Sequence, residues 1–165
     1  MKTTLTAARV LTWLNIIVWS AFLGFILLAA LAMQAFPLLV IVFLFGAIPL
    51  HSFAALKLHK SIKYPSIKLS NQTPVGIRFI GIIALFFGIM MLANSYMSIQ
   101  SPEKGLSLMK EGMADTKGMS DAVLTGYIRL GGCIALVLGL AIIINVILNL
   151  RLLRWYYLVK QSDVS

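Results

Sequence analysis

Four long apolar runs, separated by polar stretches, organise the chain. The clearest lies between Arg129 and Arg151, where 21 residues, LGGCIALVLGLAIIINVILNL, carry no charge. As a helix rising ~1.5 Å per residue, this run is about as long as a bilayer's hydrocarbon core is thick. Arginines bracket it, and Trp155, Tyr156 and Tyr157 follow where an interfacial aromatic belt would sit. The pattern predicts membrane spans at about residues 10–33, 37–56, 74–99 and 122–150 of a single four-span membrane domain.

The connections constrain how these spans meet. Spans 1 and 2 are joined by Gln34-Ala35-Phe36, then Pro37, a residue suited to a first helical position because no N–H is needed there. So short a turn predicts an antiparallel hairpin. Pro49 inside span 2 removes a backbone hydrogen bond, so a kink is expected between Phe45 and Pro49. A polar loop over 57–73 follows, and Thr73-Pro74 reads as cap and first position of span 3. The loop over 100–120 mixes both charges. Within it, Ser101-Pro102-Glu103 would open a short surface helix with Leu106, Met109 and Met113 on one face, with Gly105, Gly112 and Gly118 limiting its length. Ser120 or Asp121 caps span 4, and a helical extension over 151–160 follows it.

Composition turns the pattern into a class. The chain is 60% hydrophobic and 12% charged, with a mean hydropathy of +0.95, too apolar for a soluble domain of 165 residues. Its net charge of +9 lies beside the spans, with no basic reading surface that would suit nucleic acid. Ten of the 14 Lys and Arg residues fall on the side holding the N-terminus, the 57–73 loop with Arg78, and the C-terminus. The positive-inside rule therefore predicts two antiparallel hairpins with both termini cytoplasmic, in what is expected to be a bacterial inner membrane. The N-terminal run from Val10 to Met33 exceeds the ~7–15 residues of a signal-peptide core, so an uncleaved first span is expected despite Ala30-Leu31-Ala32. The lone Cys133 has no intramolecular partner and is expected to be a buried packing residue.

Small residues recur along spans 3 and 4. Gly81, Ala84 and Gly88 in span 3, and Gly132, Ala135 and Gly139 in span 4, alternate spacings of three and four. Such stripes let helices pack closely or dock a partner. The segments 77–94 and 128–145 also share eight identities in 18 positions, the pattern of a one-helix inverted repeat.

Candidate chemistry is sparse. No Asp or Glu lies within a span, which argues against ion-coupled transport. The polar candidates within the spans are His51, Asn15, Asn145 and Asn149, of which His51, Asn145 and Asn149 form the candidate polar intramembrane site. His51 is expected to bond a carbonyl freed by Pro49. Lys57, Lys60, Lys63, Lys68, Arg151 and Arg154 form a basic collar for anionic lipid headgroups, to which Arg78 and Arg129 would snorkel. The sequence holds no metal-ligand cluster, phosphate loop or nucleophile–base pair, so neither a cofactor nor an enzymatic activity is expected. The reading is a non-enzymatic accessory or regulatory subunit, partnered by lipids and by other membrane subunits or copies of itself. A small oligomeric channel or transporter is the alternative.

Overall fold

The computed structural model describes residues 2–112 and 119–162, and all its regular structure is helical. The helices are α1 (Lys2–Ala32), α2 (Pro37–Phe45), α3 (Ala47–Lys63), α4 (Gln72–Gln100), α5 (Pro102–Gly112) and α6 (Asp121–Ser162). Four stretches are long and apolar enough to cross a membrane: Thr3–Ala32, Pro37–Lys63 (α2 with α3), Gln72–Gln100 and Asp121–Val159.

The end of α1 is made by hydrogen bonds that the sequence hardly announces. The N–H groups of Gln34 and Ala35 donate to the carbonyls of Leu31 (3.3 Å) and Ala30 (2.9 Å), the pairing of a Schellman motif. Gln34 takes the left-handed conformation this requires, with φ 52°, where glycine is the usual occupant. Pro37 opens α2 immediately afterwards. Pro49 has no N–H to offer the carbonyl of Phe45, and the break between α2 and α3 falls beside that residue, at Gly46.

The helices outrun the apolar cores that define the spans. α3 continues to Lys63 because Ala55, Leu58, His59 and Ile62 keep one face inside while Lys57, Lys60 and Lys63 stay exposed. α6 runs on past Leu150 in the same way, with Leu152 and Leu153 buried and Arg151 and Arg154 exposed. α4 begins at Gln72, a residue ahead of the expected Thr73 cap. Ser120 stands at the N-cap of α6, its carbonyl accepting from Leu124 at 3.1 Å.

Contacts divide the chain into two compact units, Met1–Phe86 with Ala141–Ser165, and Phe87–Leu140. In the first, α1 packs against α2 and α3. Its hydrophobic core joins Ala8, Leu58, Ile77, Leu152 and Leu153, so the extensions of α1, α3, α4 and α6 all close on one cluster. Trp19 stacks on Phe45 at 5.6 Å and meets Phe22 edge-on.

In the second unit, α4 and α6 approach closely at their glycines. A Cβ on Gly132 would lie 3.0 Å from Ile99 Cγ1 and 3.3 Å from the Ser95 carbonyl. One on Gly139 would lie 3.1 Å from Leu92 and 3.3 Å from the Gly88 carbonyl. α5 rests on the start of α6 through Gly105, facing Ile128, and Lys110 pairs with Asp121 at 2.8 Å. That pair is exposed on both sides and contributes little. Met113 and Gly118, and the side chain of Met109, lie outside the described residues. Cys133 corrects its expectation: it is exposed, because it lies about 100° around the helix from Gly132, which faces α4.

Candidate functional site

Within the first unit, apolar helices enclose a polar interior. α1 presents Ala8, Thr12, Asn15, Trp19 and Leu23, spaced by three and four residues, and all are buried. α3 contributes His51, Ser52 and His59, and α6 contributes Asn145 and Asn149, one turn apart. The three residues expected from the sequence are among the most enclosed: His51 and Asn145 are 1% exposed and Asn149 0%.

Asn145 and Asn149 are hubs that join three helices. The Thr12 hydroxyl donates to Asn145 Oδ1 at 2.8 Å, and Asn145 Nδ2 donates to the Ser52 hydroxyl at 3.4 Å. Asn149 Nδ2 donates to the Asn145 backbone carbonyl at 2.8 Å and to Asn145 Oδ1 at 2.9 Å. Its oxygen meets His59 Nε2 at 2.7 Å, so that nitrogen carries the proton. In an apolar setting each satisfied group avoids a desolvation cost, and the network ties α1, α3 and α6 at one level.

His51 stands apart from this network. Its ring lies on α4 where Gly81 leaves room: a Cβ there would be 3.0 Å from Nδ1 and Cε1. Neither ring nitrogen makes a hydrogen bond of good geometry, and the backbone of Ile77 is the polar group beside it. The expected bond to a carbonyl freed by Pro49 is therefore not what positions this ring. α4 supplies the ring's surroundings, and Gly81 serves side-chain accommodation there. Both amide atoms of Asn15, Trp19 Nε1 and His59 Nδ1 are likewise buried without a hydrogen-bond partner.

Thr12, Ser52 and His59 were not among the sequence candidates. Their available signal was spacing: Ser52 and His59 are seven residues apart on α3, and Thr12 shares the face of Asn15 and Trp19. Apart from Gly81, the other expected residues fall elsewhere. Gly81, Ala84, Gly88, Gly132 and Gly139 are buried and Ala135 half-buried. The collar residues Lys57, Lys60, Lys63, Lys68, Arg151 and Arg154 are all exposed, as are Arg78 and Arg129.

Chemically, the interior brings together hydroxyl, carboxamide, imidazole and indole groups. No group of three or more His, Cys, Asp or Glu residues that could hold a metal ion occurs among the described residues. No protein family matches the chain, and neither does any curated protein or solved structure.

Proposed function

We propose that this is an integral protein of a bacterial cytoplasmic membrane, folded as two antiparallel hairpins with both termini cytoplasmic. In this reading it works as a non-enzymatic accessory or regulatory subunit of a larger membrane complex. The observation that carries the reading is the Thr12–Asn145–Asn149–His59 network, in which polar side chains of three helices are engaged with one another. Polar side chains locked together across helices stabilise an assembly, whereas a transport path would present them to a passing solute. The outer surface supports the same reading. At most 33% of the most apolar stretch of each span is buried, leaving broad faces for lipid and for another subunit. The hairpins are supported by the close turn at Gln34 and by the pairing of Gly139 with Gly88 and of Gly132 with Ser95.

A second reading, a small oligomeric channel or transporter, is favoured by two observations. Asn15, Trp19 and His51 bury polar atoms that no protein group satisfies, as a hydrated or solute-binding interior would. The apposition of Gly88 and Gly139, which occupy equivalent positions in the two similar segments, fits the inverted repeats of transporters.

One experiment separates the two. The protein is extracted gently from native membranes, and the particle mass and co-purifying chains are determined. A larger partner in fixed stoichiometry is the expected result. A homo-oligomer free of other proteins contradicts the subunit reading and moves the weight to transport.

A further inference from the structure

Between α4 and α6 of the first unit lies a crevice of about 330 Å³, lined by Arg78, Leu150, Leu153, Arg154, Tyr157 and Leu158. Its position follows from helix periodicity. Leu150, Arg154, Tyr157 and Leu158 are spaced by three and four residues and so share one face of α6. Arg78 reaches the same crevice from the early turns of α4, its guanidinium 6.0 Å from the centre of the Tyr157 ring.

Two guanidiniums on one crevice repel each other unless an anion lies between them. Among the described residues no carboxylate lines this crevice, and no Asp or Glu occurs in residues 2–102 or 122–162. Arginine forks suit phosphate oxygens bidentately, and the remaining walls are leucine and tyrosine. A free anion would gain nothing from those apolar walls, whereas an amphiphile would contact both parts. The crevice also stands at the border of the apolar core, since Arg151 ends the charge-free run of α6 and Arg78 precedes that of α4.

We infer that this crevice binds the phosphate group of an anionic phospholipid, with Arg78 and Arg154 as its ligands and Leu150, on the bilayer side of Arg154, against the acyl region. The inference rests on the reading that α4 and α6 cross a bilayer, and it narrows the diffuse basic collar to one site.

Native mass spectrometry of the purified protein, offered phosphatidylglycerol and phosphatidylcholine in mild detergent, tests it. The wild type retains phosphatidylglycerol in preference, and Arg78→Gln or Arg154→Gln each lowers that retention about fivefold, the equivalent of about 1 kcal/mol per charge at a membrane surface. Arg78→Lys keeps the charge but loses the fork, and falls between. Lys104→Gln removes an exposed charge outside both the crevice and the collar and leaves retention unchanged. Equal losses in all three glutamine variants would overturn the site in favour of a diffuse field. Displacement of phosphatidylglycerol by inorganic phosphate, with no loss in Leu150→Ala, would overturn the lipid as the source of the phosphate. Phosphatidylcholine bound equally by every variant still marks a membrane-embedded protein, so failure of the site and failure of the membrane reading are distinguishable.

Discussion

Replacing Asn145 with leucine is expected to lower the stability of the solubilised protein by about 2 kcal/mol, read from its unfolding in graded denaturing detergent. Leucine is close in size and more apolar, so transfer alone would favour it inside a membrane bundle. The loss comes from the partners. The Thr12 hydroxyl and the Asn149 amide lose their shared acceptor, and the Ser52 hydroxyl loses its donor. A single hydrogen bond within a membrane protein contributes about 0.6 kcal/mol, but buried groups left unsatisfied cost about 1–3 kcal/mol. Thr12→Val combined with Asn145→Leu should therefore cost less than the two single changes added together, because valine removes one of the stranded groups. Ser98→Ala serves as a comparison. Its hydroxyl bonds the Asn94 carbonyl of its own helix, so its loss strands no group on another helix and a change within about 0.5 kcal/mol is expected. An Asn145→Leu loss no larger than that of Ser98→Ala would mean that the network does not hold the three helices together.

Adjacent glycines on α6 are expected to respond with opposite sign. Gly132→Ala places a Cβ 3.0–3.3 Å from Ile99, Ser98 and the Ser95 carbonyl, and the last of these is backbone that cannot swing aside. A loss of about 1 kcal/mol follows, rising to about 3 kcal/mol for Gly132→Leu as α4 and α6 are forced apart. Gly131→Ala meets nothing within 4 Å and gains helix propensity, so it is neutral or stabilising by up to about 1 kcal/mol. The same denaturing-detergent series measures all three. Were Gly132 instead a docking surface for another subunit, Gly132→Leu would leave the stability of the isolated chain unchanged and alter only its association.

The spans were legible because nothing in water can hide a 21-residue run free of charge. The small-residue stripes were legible for a related reason, since their spacing survives whichever neighbour they meet. The helical extensions were not. Lys57, Lys60 and Lys63 made that stretch look like a loop, although Leu58 and Ile62 carried a helical period through it. The polar interior was half legible: a histidine and two asparagines in apolar runs stand out singly. That Thr12, Ser52 and His59 meet them depends on the rotation of three separate helices, which no single segment encodes. His51 illustrates the same limit. A freed carbonyl on its own helix was the nearest local partner, yet its ring is seated on α4 through Gly81, distant in the chain.

Topology is the premise on which the subunit reading, the network and the lipid crevice all stand, and single-cysteine labelling tests it most directly. Cys133→Ser removes the native thiol, and Thr3→Cys, Ser66→Cys or Ser107→Cys then places one reporter at an exposed position. In intact cells a membrane-impermeant maleimide should label only the Ser107→Cys protein, with Thr3→Cys and Ser66→Cys reacting once the membrane is opened. Labelling of Ser66→Cys and Ser107→Cys from the same side would contradict a four-span chain with cytoplasmic termini.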